Sequence, residues 1–283
     1  MSFADHIEFC NSCDPARVVP LVAGGGRIGL VRRDNAAALR SFPEVFAVRD
    51  DRVELRAAGD AADISRTVDR VVDALVATHR LPKYRNETFD VAARWGAAPV
   101  FRLDRGAVPF FGTRAYGVHL NGWRRENGGI SLWIARRAAD RRLAPNKLDN
   151  LVAGGIGSGY GVAATLVKEA EEEASIPPEL IARAQPAGAV SYRMETEQGI
   201  RDDVLFVYDL EVPAGFVPEN RDGEMAGFTL MPAEAVLDRI RRTDDFKFNV
   251  NLVVLDFALR HGILGPEDEE YLAVATGLHR PLD

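Results

Sequence analysis

The stretch that decides the fold runs from Gly154 to Ile176, GGIGSGYGVAATLVKEAEEEASI. A glycine-rich turn feeds a helical pattern with three carboxylates on one side. With Glu169 set to zero on an ideal helix, Glu172 falls at about −60° and Glu173 at about +40°, so the three share one arc. Like charges at this spacing repel, by roughly a few tenths of a kcal/mol per pair. A helix built only for solubility would mix the signs. Clustered carboxylate oxygens suit a hard cation such as Mg²⁺. The small and apolar residues Ala163, Leu166, Val167, Ala170 and Ala174 centre at about +120°, a face expected to pack on a core. Glu171 is expected to point to solvent, and Lys168 falls beside Glu172. A solvated acidic face would show the same spacing, so spacing alone leaves both readings open.

Working outward, the chain has 283 residues, enough for one large or two modest domains. Its 47% apolar and 27% charged residues are ordinary for a globular protein. Net charge is −7, and Arg136-Arg137 with Arg141-Arg142, and Arg239 to Arg242, contain or adjoin Asp residues. Such mixed clusters read as solvated surface, so nucleic acid is not an expected partner. No run of 18 apolar residues calls for a membrane, and the first residues lack a secretory pattern. The two cysteines, Cys10 and Cys13, form a lone C-x-x-C on an amphipathic stretch with Ile7 and Phe9. Without a second pair, a structural role is favoured over zinc or redox chemistry. Few cysteines and no export signal point to the cytoplasm.

The N-terminal part reads as a small α/β unit. A short helix is expected over 3–14. Val18 to Val22 is a helix continuation or a lead into the turn at Gly24-Gly25-Gly26. Strands are expected at 28–31, 46–48 and 52–55, and helices at 35–41 and 62–79. The last carries an apolar stripe of Ile64, Val68, Val71, Val72, Leu75 and Val76. This unit, residues 1–112, ends at Phe110-Phe111-Gly112. Residues 113–283 form the second domain. There, strands at 116–122 and 131–135 flank a turn at Asn127-Gly128-Gly129, and a short strand covers 151–153. Further strands are expected at 187–192 and 204–212, and two helices, near 232–242 and 249–261, close the chain.

The segment from Gly154 resembles the Nudix box, the signature of hydrolases acting on nucleoside diphosphates linked to another moiety. Its pattern is G-x5-E-x7-R-E-U-x-E-E-x-G-U, with U a bulky apolar residue. Gly154 matches the first glycine, Glu169 the glutamate after the arginine, and Glu172 and Glu173 the glutamate pair. Tyr160 replaces the first glutamate, Lys168 the arginine and Ser175 the last glycine, and Ala170 is small for its apolar position. The E-x-x-E-E core is intact. Lysine brings charge without arginine's planar fork, so its pairing must differ. Flanking strings strengthen the likeness: Y-R-N-E from Tyr84, Y-G-V-H-L-N-G from Tyr116, L-D-N-L-V-A-G-G from Leu148, Y-D-L-E-V-P from Tyr208, D-G-E-M from Asp222 and D-F-A-L-R-H-G from Asp256. Together they are similar to a Nudix subgroup with an extra N-terminal domain, found alone or fused to thiamine pyrophosphokinase.

The resemblance implies a Nudix α/β/α sandwich with a mixed sheet, preceded by the small α/β domain. It implies hydrolysis of a small-molecule diphosphate with Mg²⁺ or Mn²⁺ held by Glu169, Glu172, Glu173 and the Ala153 carbonyl. By the same likeness the substrate is thiamine diphosphate or its oxo- or oxy- analogues. ADP-ribose or another nucleoside diphosphate derivative is the alternative, and a non-catalytic diphosphate-binding regulatory module is a second. Isomerisation of a diphosphate ranks lower, because it would want a cysteine in the cleft. Glu224, in the D-G-E-M loop, is the candidate for a completing carboxylate or base. His119 and Asn121 on their strand, Arg136, Lys147, Gly154 and Gly155 are candidate substrate contacts, with Tyr116, Trp123 and Trp133 as stacking candidates. The N-terminal domain is expected to cover the cleft, shape the pocket or build a homodimer.

Overall fold

The computed structural model describes residues 1–82, 87–126, 128–279 and 282. Tyr84, Arg85 and Asn86 of the Y-R-N-E string, and Asn127 of the expected turn, lie outside the described residues.

The chain opens with α1 (Phe3–Cys10), whose start is fixed by a capping box. The Ser2 hydroxyl accepts from the Asp5 N–H and the Asp5 carboxylate accepts from the Ser2 N–H. A 3₁₀ turn (Pro15–Arg17) leads into β1 (Val18–Ala23) and β2 (Gly26–Arg32), an antiparallel hairpin. Val18 to Val22 is therefore a strand, as its β-branched residues favour. Then follow α2 (Arg33–Leu39), β3 (Phe46–Val48), β4 (Val53–Leu55), α3 (Ala61–Ala77), β5 (Thr88–Val91), β6 (Phe101–Asp104) and α4 (Val108–Phe111). The first four strands form one sheet in the order β2-β1-β4-β3. The α3 stripe, Ile64, Val68, Val71, Val72 and Leu75, is buried in this unit's core with Leu21 and Phe46, and Val76 packs at its margin.

The second part contains β7 (Arg114–Glu126), β8 (Gly129–Arg137), β9 (Leu148–Asp149), β10 (Val152–Gly155), α5 (Val162–Ala174), α6 (Pro178–Ile181), β11 (Gln185–Thr196), β12 (Gly199–Glu211), β13 (Met225–Pro232), α7 (Ala233–Arg242), α8 (Phe248–Arg260) and α9 (Tyr271–Gly277). Its sheet runs β11-β12-β7-β8-β13, with β10 added to β7 and β9 to β8. The sheet is mixed: β12 and β7 are parallel and the other pairs antiparallel. Side chains alternate across it. Val118 and Leu120 enter one core with Leu166, Ala170 and Ala174 of α5. Leu132 and Ile134 enter another with α7, α8 and α9. The result is an α/β/α sandwich.

The N-terminal helix α1 packs into this second core, with Phe3, Ile7 and Cys10 among the residues of α7, α8 and α9. Cys10 donates to the Phe248 carbonyl at 3.4 Å, and burial pushes its thiol up to about 12. Cys13 is half-buried, and the two thiols are not joined. His6, the only histidine near them in sequence, bonds the Ile240 carbonyl and the Asn251 amide. The rest of the N-terminal unit meets the second part through both backbone and side chains: Ser158 N–H donates to Thr88 O at 2.7 Å, Arg32 to Thr196 O at 2.9 Å and Asn35 Nδ2 to Gln198 O at 3.0 Å.

Candidate active site

The glutamates of α5 are not equivalent. Glu173 is 1% exposed, and its Oε2 accepts the Ala153 N–H at 2.8 Å. Burial drives its pKa well above the ordinary carboxylate range, although the Ala153 hydrogen bond opposes the shift. Glu169 is largely buried and also raised by burial, with Lys168 pulling the other way. Glu172 is 45% exposed. The Lys168 ammonium lies between the last two, 3.1 Å from Glu169 Oε1 and 2.6 Å from Glu172 Oε2. Burial works against its charge, but these hydrogen bonds prevail and raise its pKa. Glu171 faces solvent and meets Arg221 at 3.4 Å.

The packed face of α5 differs from the expected one. Thr165, Leu166, Ala170, Glu173 and Ala174 are buried, whereas Val167 is 44% exposed and Ala163 is exposed. The inward face is rotated by roughly 55° toward the carboxylates. The cause is contact with β10: a Cβ on Gly154 would lie 2.3 Å from Glu169 Cγ, so only glycine lets the helix come this close. The helix ends at Ser175 with φ +51, the left-handed cap where the box pattern carries glycine. Its hydroxyl donates to Glu219 O at 2.7 Å, which offsets the strain. Tyr160, in place of the box's first glutamate, is exposed.

A metal ion fits these residues by donor chemistry. The set is all hard oxygen, two of its carboxylates are destabilised by burial, and a lysine ammonium already sits between Glu169 and Glu172. Among the described residues, no three His, Cys, Asp or Glu side chains stand together as a preformed cage. Lys168 and the Ala153 N–H occupy the carboxylates instead.

On the other side of β10 lies a cleft of about 810 Å³, its open mouth included. Ala153, Gly154 and Gly155 border it, and Phe89, Arg105 and Val108 of the N-terminal unit form part of its wall. Gly155 packs against Phe89, whose ring would lie 2.6 Å from a Cβ there. His119 lines the cleft and is 3% exposed. Burial, aided by the nearby Lys247 charge, lowers its pKa to about 4, so the ring is neutral near pH 7. A chain of hydrogen bonds orients it. The Asp209 carboxylate can only accept, so Asn121 turns its Nδ2 toward it at 3.0 Å. Asn121 Oδ1 then accepts from Asn150 Nδ2 at 2.9 Å, and Asn150 Oδ1 accepts from His119 Nδ1 at 2.8 Å. The His119 proton is on Nδ1, which leaves Nε2 as an acceptor.

The structure places the other candidates as follows. Asn121 is 1% exposed and engaged by Asn150 and Asp209 rather than lining the cleft. Arg136 is exposed and donates to Asn146 O at 2.8 Å. Lys147 pairs with Asp244 at 3.0 Å. Neither cation is on the cleft wall. Glu224 pairs with Arg141 at 2.6 Å, both a third exposed, and its charge reaches Glu169 and Glu173. Tyr116 lines the cleft, with the Trp95 ring centre 4.5 Å from its own. Trp123 packs edge-on to Phe257, and Trp133 packs against the α5 core.

Sequence reasoning missed the cations that line the cleft, Arg105, Arg201 and the buried Lys247. Lys247 precedes α8, and its Nζ is 3.3 Å from Asp149 Oδ2. Arg137 reaches the same oxygen at 2.8 Å. Burial alone would raise Asp149, but the Lys247 and Arg137 charges hold it below the ordinary carboxylate range. Lys247 is lowered by burial, and the charges of Asp149 and Glu173 oppose this. One carboxylate facing two buried cations leaves a positive excess beside Glu173. The sequence signal was weak: a lysine just before an apolar helix looks like any solvated helix start.

The residues 2–115 match a domain of unknown function (DUF4743), and residues 116–251 match the NUDIX domain. Nudix hydrolase 20, chloroplastic, of Arabidopsis thaliana is 37% identical over 282 residues, covering 95% of this chain and 75% of that protein. Nudix hydrolase 24, chloroplastic, of the same plant is 36% identical over 275 residues, again covering 95% and 75%. Likeness of this degree across both domains, on a chain whose box helix packs its carboxylates against β10, means that the chain belongs to the Nudix family and is a hydrolase of diphosphate bonds.

Proposed function

We propose that the chain is a divalent-metal-dependent hydrolase that converts thiamine diphosphate, or its oxo- or oxy- analogues, to the monophosphate. The observation that carries the hydrolytic part is the pairing of Glu169 and Glu172 around one cationic group, with Glu173 buried behind them. The thiamine part rests on the likeness of the flanking strings. Glu169, Glu172, Glu173 and the Ala153 carbonyl would hold Mg²⁺ or Mn²⁺, which when bound would neutralise diphosphate oxygens and lower the pKa of a coordinated water. Lys247, with Arg137 and Asp149, supplies fixed positive charge for the diphosphate tail. Neutral His119 offers its Nε2 to a donor on the bound molecule. Glu224 is the residue we assign to accept a proton from the attacking water, held by Arg141 until substrate arrives. Free thiols at Cys10 and Cys13 support a cytoplasmic setting.

The test is a Mg²⁺ titration of diphosphate turnover in Glu172→Gln. We expect turnover to fall by about 10²-fold or more at any Mg²⁺ concentration. Unchanged turnover would sink the assignment. Release of phosphate from thiamine diphosphate, against nucleoside monophosphate from ADP-ribose, separates the two substrate classes.

A further inference from the structure

Behind the cleft wall, a line of side chains runs from His119 to the end of α8. His119 and Asn121 are two apart on β7 and so share one face of the sheet. Asp209 on β12 is the register partner of Asn121. Beyond it, Arg260 and His261 close α8 and both turn to Asp209. Arg260 Nη1 meets Asp209 Oδ2, and so does His261 Nε2 at 3.1 Å. Arg260 Nη2 reaches Oδ1 at 3.2 Å. Asp256, one turn back on α8, holds the Arg260 Nε at 2.8 Å. Burial alone would raise the Asp209 pKa, but the hydrogen bonds from Arg260, Asn121 and His261 prevail and hold it below the ordinary carboxylate range. Asp209 is therefore ionised and can only accept.

Every link of the line is one-way. Arginine has no acceptor, so Arg260 fixes an oxygen on its own side of residue 209. The other Asp209 oxygen draws the Asn121 amide, and the Asn121 oxygen draws that of Asn150. Asn150 Oδ1 then requires the proton on His119 Nδ1. Asn121, Asn150 and His119 are 1%, 2% and 3% exposed, so water does not compete for these groups. A neutral amide at residue 209 would reverse the order. Its oxygen would stay with Arg260 and His261, its Nδ2 would face Asn121, and each amide in turn would flip. His119 Nδ1 would then meet an N–H donor, and the ring proton would move to Nε2.

We propose that Asp209 is a positioning residue of the hydrolase: from behind the cleft wall it sets the tautomer of His119 and so keeps Nε2 an acceptor toward the bound diphosphate. The proposal rests on the diphosphate-hydrolase reading and on the place of His119 within it. Asp209 is not on the wall of this cleft, and what it transmits is the direction of three hydrogen bonds. Its effect exceeds the strength of its own bond to Asn121, because the wrong tautomer offers a donor where an acceptor is needed.

The experiment reads the tautomer directly, in the full chain labelled with ¹⁵N. In a neutral imidazole the protonated and the lone-pair nitrogen resonate far apart, and a long-range ¹H–¹⁵N spectrum distinguishes them. The chain has five histidines, and His119→Gln identifies the ring signals by their loss. Wild-type His119 is expected to carry its proton on Nδ1. In Asp209→Asn the proton is expected on Nε2. There kcat/KM should fall by about tenfold or more for whichever of thiamine diphosphate, oxythiamine diphosphate and ADP-ribose the wild type hydrolyses. Adding Asn121→Asp to Asp209→Asn puts a carboxylate back into the line. It accepts from residues 209 and 150 alike, so the double variant should return the proton to Nδ1 and recover most of the lost rate.

A wild-type proton on Nε2 overturns the proposal. So does an unchanged tautomer in folded Asp209→Asn, an inverted one with turnover unchanged, or a double variant that leaves the proton on Nε2. Where circular dichroism shows that Asp209→Asn does not fold, Asn121→Leu cuts the line instead. A mixture of tautomers then supports the proposal, and a proton still fixed on Nδ1 overturns it. If none of the three diphosphates is hydrolysed, the spectra alone decide: inversion and its reversal uphold Asp209 as the group that sets the ring, while the substrate reading fails separately.

Discussion

The two sides of β10 make an instructive contrast. On the α5 side, Glu169, Glu172 and Glu173 lie within five residues and are organised by a single helix. On the cleft side, His119, Tyr192, Asp203, Lys247 and Asn249 come from four elements and one loop, spread over 131 positions from first to last. The α5 side is acidic and partly wet, and one exposed lysine balances it. The cleft side is buried, and each polar group there is set by the next. Local spacing can specify a metal-binding surface, because a helix alone puts residues i, i+3 and i+4 together. A recognition surface needs the sheet, because only strand pairing and helix docking bring its members within hydrogen-bond reach.

The contrast can be tested from its largest expected effect downward. His119 belongs to the buried side, and its folded pKa of about 4 lies below its ordinary 6.5. As pH falls, the unfolded chain takes up the proton first, so folding stability is lost between about pH 6.5 and 4. The loss should approach about 3 kcal/mol, and urea titrations of His119→Gln over that range should lack it. Parallel pH curves for the two proteins would show that the ring is not buried neutral.

Next is the strand between the two sides. Gly154→Ala forces a Cβ to within 2.3 Å of Glu169 Cγ and should cost about 1–3 kcal/mol as well as most of the turnover. Gly157→Ala meets nothing closer than 3.7 Å and should leave melting temperature and rate nearly unchanged. Similar behaviour of the two variants would mean that α5 does not depend on its approach to β10.

The smallest effect is at the end of α5. Ser175→Gly relieves a left-handed serine, worth about 1–2 kcal/mol, but loses the bond to Glu219 O, worth about 1 kcal/mol. A net gain of up to about 1 kcal/mol in denaturant unfolding is expected, with turnover unaffected. A clear loss would mean that the hydroxyl bond outweighs the backbone strain at this cap.

Much of the architecture was legible because periodicity reports burial. The α3 stripe, the β7 and β8 strands and the helices α7 and α8 fall where their apolar patterns put them, although α9, which follows them, was not expected. The α5 face was misplaced, because Val167 and Ala163 look apolar in a helical projection while the true contact is β10. Arg136 and Lys147 were sensible phosphate partners by charge, but each is engaged outside the cleft wall. Nothing in the spacing of Lys247 or Asn249 distinguishes them from solvated helix-start residues.

The sequence by itself determined the carboxylate cluster, the glycine beside it and the family, because these depend on helical geometry and on residues close together in the chain. The tertiary structure alone decided which carboxylate is buried, which cations line the cleft and which way the polar row points. Those properties arise from desolvation and from the one-way logic of donors and acceptors, and both exist only after distant strands and helices have packed together.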